Sequence, residues 1–458
     1  MKNLKTYLLA LTIAAGLQTA SAQTKAGYTN LFNGKNLNGW KILAGKAEYK
    51  VENAGITGTA VLNSGNTFLV TEKEYGDFIL ELDAKTESDL TNSGVQLRSH
   101  YNAAGHEGKG QVYGRQCEID PSTRKWTGGI YDEGRRDWLY PMDLNAKAQN
   151  AWKNGAFNHI KIECIGNITK TWINGIATAM VVDTIDAKGF IGLQVHAISD
   201  EKQAGKRIFF KNVQIKTTNL KPQPFAKGVY VVNLQQNVLS PYEKLDGWKL
   251  LFDGKTNAGW HSATAATFPA KGWKVANGML SVIGANGGEA TNGGDIITDK
   301  MYSAFDMSFE FRMSRGANSG VKYFVTLDEK TQGSAIGLEY QVLDDAVHPD
   351  AKLGRDGDRT LASLYDLIPA KKQARFVHPI GAWNMGRIVV LPNNHVVHYL
   401  NGVKVLEYDR GSKEYRDLVA ISKYKIWKDF GEAKEGHILL QDHGFDVDFR
   451  NVKLKALK

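Results

Sequence analysis

The chain is written twice. Leu31-Phe32-Asn33-Gly34-Lys35, followed by Gly39-Trp40, returns as Leu251-Phe252-Asp253-Gly254-Lys255, followed by Gly259-Trp260. Asn92-Ser93-Gly94-Val95 returns as Asn318-Ser319-Gly320-Val321, and Trp172-Ile173-Asn174-Gly175 as Tyr399-Leu400-Asn401-Gly402. Phe210-Lys211-Asn212-Val213 closes one copy and Phe449-Arg450-Asn451-Val452 the other. The order is kept while the offset grows from 220 residues (31 to 251) to 239 (210 to 449). That period is far longer than the roughly 20–50 residues of a solenoid or propeller repeat. The chain is therefore two tandem domains of one fold.

The pattern inside each copy selects strands. Phe78-Ile79-Leu80-Glu81-Leu82-Asp83-Ala84 and Phe305-Asp306-Met307-Ser308-Phe309-Glu310-Phe311 alternate apolar and polar at period two, as do His159 to Glu163 and His395 to Leu400. Asn-Gly pairs at 33–34, 174–175 and 401–402 supply hairpin turns. No segment carries a long helical period. About a dozen short strands per copy with glycine-rich turns predict an all-β chain of two tandem jelly-roll β-sandwiches. The expected division is 1–22 as a signal peptide, 23–218 as the first domain, 219–244 as a linker with Pro222, Pro224 and Pro241, and 245–458 as the second domain.

Composition and charge exclude several classes. Across 458 residues, 42% hydrophobic and 23% charged with 47 glycines is ordinary for a globular protein and rules out collagen, disorder and a disulfide scaffold. The net charge of +9 is spread along the chain without a run of like charges, which argues against a nucleic-acid partner. Lys2 and Lys5, an apolar stretch from Tyr7 to Leu17 and Ala20-Ser21-Ala22 read as a cleaved secretory signal. The apolar stretch is short of the roughly twenty residues that span a bilayer. With no cysteine at the new N-terminus to take a lipid, the expected location is the periplasm, free of the membrane. Cys117 and Cys164 fall on inward positions of their strands and read as buried thiols, with pairing left open.

In a sandwich, alternate residues of a strand face away from the core. On that outward face the first copy places Gln96, Arg98 and His100, then Gln116, Glu118 and Asp120, then Gln194 and His196. The second copy presents Glu339 and Gln341, with Gln441 and His443. Such a face is normally only the wet side of a sheet. Its richness in carboxylates, amides, Arg and His makes it a candidate concave site for a polyol. Tyr131 and Arg135 lie in the loop after the Glu118 strand and are candidate rim residues. The two Asn-Ser-Gly segments read as turns rather than ligands. No His-Glu-x-x-His or paired cysteines mark a zinc site, and no Gly-x-Ser-x-Gly elbow marks a serine hydrolase. No cofactor is required; calcium held by Asp344, Asp345 and Asp350 is an open alternative.

Taken in order, these motifs resemble one bacterial family. The Leu-Phe-(Asn/Asp)-Gly-Lys…Gly-Trp opening, Asn-Ser-Gly-Val, Ser363-Leu364-Tyr365, Trp383-Asn384, Leu440-Gln441-Asp442-His443-Gly444 and the Phe-(Lys/Arg)-Asn-Val close are similar to the 3-keto-disaccharide hydrolases, concanavalin-like jelly rolls. The resemblance spans nearly the whole chain, once per half, and the second half has the more typical wording. It implies a substrate glycoside already oxidised to a ketone at glucosyl C3, supplied by a partner sugar 3-dehydrogenase. A C3 ketone acidifies the C2 hydrogen, so a base can remove it and expel the group on C1; water then adds to the enone. A direct two-carboxylate hydrolysis is the other route.

The roles assigned on this resemblance are Glu118 or His196 as base, Asp120 as its partner, and Arg98, Tyr131 and Arg135 as sugar or enolate contacts. Gln96, Gln116 and Gln194, with Glu339, Gln341, Tyr365, Gln441 and His443 of the second copy, are assigned to substrate binding. Lys322 and Phe324 stand where the first copy has Gln96 and Arg98, so the halves are not equivalent, and one is expected to catalyse while the other binds sugar or completes the cleft. The alternative is a non-catalytic, lectin-like carbohydrate-binding protein, because one fold serves both uses. Exposed aromatic platforms would favour that alternative and recessed ionisable pairs favour the enzyme.

Overall fold

The protein is described from a computed structural model, for residues 24–328, 330–331 and 334–458. The segment expected to be the signal peptide lies outside these residues. Two all-β sandwiches follow one another, each a jelly roll of antiparallel sheets. In the first, a seven-stranded sheet runs in the order Asp137–Tyr140, Ile130–Glu133, Gln111–Ile119, Ser93–Asn102, Phe190–Val195, Thr67–Thr71, Trp40–Leu43. It packs on a larger sheet centred on Phe78–Thr86. In the second, a five-stranded sheet runs Trp260–Ser262, Ile296–Tyr302, Gly436–Leu440, Asn318–Val325, Leu338–Leu343, against a sheet centred on Phe305–Met313. Among the described residues no helix is long and apolar enough to cross a membrane.

The period-two runs build the cores. Phe78, Leu80, Leu82 and Ala84 meet Val95, Leu97, Cys117, Ile119, Ile191 and Leu193; Phe305, Met307, Phe309 and Phe311 meet Val321, Tyr323, Leu338, Tyr340 and Leu440. Each fully buried aliphatic or aromatic side chain contributes about 1.5–3 kcal/mol. Cys117 and Cys164 are both buried and both free thiols.

The repeated words close the same contacts twice. Trp40 Nε1 donates to Leu31 O at 2.8 Å and Trp260 Nε1 to Leu251 O at 2.6 Å. Asn33 and Asp253 each accept from the backbone amides two and three residues on, an Asx turn. Ser93 Oγ donates to Gln194 O and Ser319 Oγ to Gln441 O, at 2.7 and 2.8 Å. The adjoining Gly94 and Gly320 make room for a neighbouring side chain: a Cβ at either would come within 2.2 Å of Gln116 or Glu339 respectively. The Asn-Ser-Gly segments therefore begin strands and are not turns.

The strand after each of these segments bulges at the same place. Arg98 and Phe324 both have positive φ (50° and 56°), and the ladder slips one position there in both domains. A bulge of this kind reverses which face the next side chains take.

The connecting segment is packed. Val232–Asn233 pairs in parallel with Val181 and Val182 of the first domain. Ser240 and Glu243 form a capping box on a short helix, and Glu243 is paired with buried Lys453 of the second domain at 2.5 Å. Tyr230 accepts from Tyr140 at its carbonyl and donates through its hydroxyl to Ser308, so it bonds both domains. Trp126, Tyr140, Met142 and Val181 join Tyr230, Val232, Trp248 and Phe376 in one apolar cluster between the sandwiches.

Candidate functional site

The outward face of the five-stranded sheet in the second domain floors a pocket of about 420 Å³. Neighbouring strands supply Lys322, Glu339 and Gln341, and the strand ending at Leu440 leads into Gln441 and His443. Two loops complete it: one brings Glu289, and one after the hairpin at Asn401-Gly402 brings Lys423, Tyr424 and Trp427. Tyr365 closes another side.

Glu339 decides the chemistry of this pocket. It is buried, accepts no hydrogen bond from the described residues, and its carboxyl is pushed up to about 7 by burial, against the pull of Lys322 and Lys423. An unpartnered carboxyl poised near neutrality in a recess is suited to taking and returning a proton. Lys322, directly opposite it in the ladder, donates to Ser334 Oγ at 2.8 Å and Ala335 O at 3.1 Å. Its ammonium lies 3.8 Å from Asp295 and 3.9 Å from Glu289. Burial opposes its charge, but Asp295, Glu339 and Glu289 together hold its pKa above the ordinary lysine value. Asp295, bonded by Ser334, is raised to about 6 by burial. Lys423 is shifted the other way, lowered by burial, with its ammonium 4.1 Å above the Tyr365 ring. Burial and Asp350, to which Tyr365 donates at 2.8 Å, raise the phenol strongly.

Among the described residues, three buried polar atoms around this pocket have no partner: Asn318 Oδ1, Gln441 Oε1 and His443 Nδ1. Buried polar atoms are normally satisfied, so these are positions a polyhydroxylated ligand would satisfy.

The first-domain face is organised differently. Ser99, Gln96, Gln116 and Glu118 form a chain of bonds at 2.6, 2.8 and 3.0 Å, and Asn92 donates to the other Glu118 oxygen at 2.8 Å. Burial raises Glu118 to about 7 as well, but its oxygens are already engaged. Asp120 is held by Arg124 Nε at 2.6 Å. Tyr131 faces Gln116 across the ladder and donates to Asp137. His196 is exposed, bonded to the next carbonyl, and within electrostatic reach of Asp120 and Arg124. Gln194 is buried, and its amide oxygen and nitrogen have no partner among the described residues.

Two assigned residues do not reach the face. Arg98 is turned away by the positive-φ bulge; its guanidinium bonds the carbonyls of Gly76, Cys164 and Gly166 and the Asp77 carboxylate. Arg135 is held by Asp132 and Asp186, beside Arg136 with Asp132 and Asp183, in a half-buried ion network on the other side of the sheet. Asp344, Asp345 and Asp350 are separately engaged, with Gly316 N, Lys372 and Arg359. No cluster of three potential metal ligands occurs among the described residues.

The register also shows which positions of the two faces correspond. Gly94 lies opposite Glu118, and its counterpart Gly320 lies opposite Gln341. Glu118 therefore corresponds to Gln341, and Glu339 to Gln116: acid and amide have exchanged places. The sequence reading missed Glu289, Asp295 and Lys423, took Lys322 only as a divergence, and read Asn318 as a turn. A length difference pointed to Lys423. Leu440 follows Gly402 by 38 positions, whereas Leu193 follows Gly175 by 18, and Lys423 lies in that excess.

The sequence profile of the 3-keto-alpha-glucoside-1,2-lyase-like domain matches residues 27–216 and, a second time, 247–455. The chain belongs to this family. A 3-keto-disaccharide hydrolase of Bacteroides thetaiotaomicron is 40% identical over 233 residues, 46% of this chain and 79% of that one. Among solved structures, a candidate glycosyl hydrolase of Parabacteroides distasonis is 31% identical, covers 49% of this chain and 100% of its own, and superposes with a TM-score of 0.43. The carbohydrate binding module CBM66 of Bacillus subtilis is 17% identical over 40% of this chain and 97% of its own, with a TM-score of 0.28. Family membership supports a glycoside hydrolase.

Proposed function

We propose that the second-domain pocket cleaves glycosides whose glucosyl C3 hydroxyl has been oxidised to a ketone, such as 3-keto-trehalose, by elimination and rehydration. The observation that carries this reading is Glu339, an unpartnered buried carboxyl at about 7 between two lysines. Glu339 takes the C2 proton as a carboxylate. The electron pair forms the C2–C3 enolate, whose oxygen the ammonium of Lys322 or Lys423 stabilises. The enolate collapses, the C1–oxygen bond breaks, and the leaving oxygen takes the proton from Glu339. Water then adds to C1 of the enone, giving one proton to Glu339, which passes it to C2, so the net change is hydrolysis. The family's description as a 1,2-lyase and the relative's name as a hydrolase are both compatible with this sequence.

His443, Gln441, Gln341 and Asn318 are assigned to sugar hydroxyls and Tyr365 to the pocket wall. The first domain, with Glu118, Gln116, Gln96 and Gln194 bonded or enclosed and no counterpart of Lys322, is assigned to sugar binding or to support; Asp120, Tyr131 and His196 border that face. No cofactor is required by this sequence of steps, the ketone is supplied by a sugar 3-dehydrogenase, and residues 1–22 direct export to the periplasm.

Incubating the purified protein with 3-keto-trehalose and with trehalose, and following released sugars by mass spectrometry, tests the proposal. Cleavage of the keto form alone, with deuterium from solvent appearing at C2, is the expected result. Cleavage of both at equal rates would overturn it, and binding without cleavage would favour the lectin-like reading.

A further inference from the structure

Between the two domains lies a second cleft, of about 390 Å³, outside the pocket just described. Distant parts of the sequence bring cations to it: Arg124 from the first domain, and Lys371, Lys372, Arg375 and Lys404 from the second. The lining contains one carboxylate, Asp143, and its oxygens are already occupied. Trp126 Nε1 and Gln149 Nε2 donate to one at 3.2 Å each, and the Lys404 amide donates to the other at 3.1 Å.

The cations are not neutralised to the same degree. Lys372 is paired with Asp345 and Lys404 with Glu407. Lys371 and Arg375 have no carboxylate partner among the described residues, and both are exposed. Arg124 is the most ordered of the five. Its guanidinium is stacked 4.6 Å from the Trp126 ring and 5.0 Å from the Trp138 ring, and its Nε edge is fixed on Asp120. Its two terminal nitrogens have no partner among the described residues. A planar fork locked by stacking with one edge unused is suited to a carboxylate, sulfate or phosphate.

Trp126, Phe376, Val377, Leu400, Val403 and Val405 give the cleft its apolar wall. Apolar surface beside these cations fits the carbon face of a sugar ring that carries an anionic group. The volume suits a single ring, near the lower end of the roughly 300–1,000 Å³ usual for small-ligand sites. A nucleic-acid strand would need an open basic track instead.

We propose that this interdomain cleft binds a small anionic sugar, its carboxylate, sulfate or phosphate held by Arg124, Lys371 and Arg375. The site is independent of the reaction assigned to the second-domain pocket. Because the cations come from both domains, the ligand would bridge them.

Calorimetric titration of the intact protein with glucuronate, glucose 6-sulfate, glucose and inorganic sulfate tests this. Glucuronate or glucose 6-sulfate should bind, glucose should bind at least tenfold more weakly, and raising the salt should weaken the anionic ligands. The double substitution Lys371→Glu and Arg375→Glu, at exposed unpaired positions, should leave the melting temperature unchanged and lower that affinity at least tenfold. Anionic-sugar binding that survives this substitution, or none at 10 mM ligand, would overturn the site. Equal affinity for inorganic sulfate would overturn the assignment of a sugar.

Discussion

Lys322 and Glu339 stand directly opposite each other on neighbouring antiparallel strands, both almost wholly buried. The ammonium gives two of its three N–H groups to Ser334 and Ala335 and none to Glu339, so the carboxyl keeps its lone pairs free while still feeling the positive charge. A buried acid without bonds would ordinarily stay protonated. The lysine brings it back to near-neutral titration.

Glu339→Gln keeps the shape and removes the proposed base. Turnover of 3-keto-trehalose should fall by about 10²–10⁴-fold, the usual worth of a positioned base. Glu118→Gln, at the position where the second domain already has an amide, should change turnover by less than about threefold. Equal losses in the two variants would contradict a single catalytic domain.

The pH profile follows from the same pair. As the proposed base Glu339 must be ionised, so kcat/KM should rise with pH and level off above about 7. Lys322 lowers that value, because a neighbouring cation favours the carboxylate. Lys322→Met should therefore move the rising limb to higher pH as well as lowering the plateau. A limb that stays in place would show that another group controls it.

Arg98 gives the opposite outcome. Its buried guanidinium serves three backbone carbonyls and Asp77, so Arg98→Ala should cost about 2–4 kcal/mol of stability through unpaired acceptors and a cavity. The fraction that folds should keep nearly full kcat, measurable after titrating active protein.

His159 makes the first domain's stability depend on pH at the alkaline side. Asp83 and Glu81 raise it to about 9, above its ordinary 6.5. Its contribution is complete below pH 6.5 and disappears as pH rises through 9. Glu81, for which burial is outweighed by bonds from His159, Lys25 and Tyr28, is lowered to about 2, so its contribution is present above pH 4.5 and lost toward pH 2. Melting curves should fall between pH 6.5 and 9, and His159→Gln should flatten that fall.

The duplication, the strands and the outward faces were legible because each rests on local periodicity or on words repeated in order. The faces were read correctly up to the bulge, where one positive-φ residue reverses the alternation and turns Arg98 away. Arg135 was misplaced because being next to a strand in sequence does not say which side of the sheet a loop folds over. The exchange of acid and amide between Glu118 and Glu339 was invisible because the strands that carry them share no repeated word. Only the ladder with Gly94 and Gly320 aligns them. Lys423 lies in a stretch with no counterpart in the other copy, so internal comparison could not weigh it.

The segment around Tyr230 has a consequence for how such a protein can change. A duplicated domain is ordinarily free to be lost, shuffled or expressed alone. Here, removing either half would leave part of the Trp126, Tyr140, Tyr230, Trp248 and Phe376 cluster facing water. Each half expressed separately should aggregate, and limited proteolysis should spare the segment from 229 to 245. The shared cluster ties the copies together: they can differ in chemistry, as the exchanged acid and amide show, while each still depends on the other to cover its apolar face.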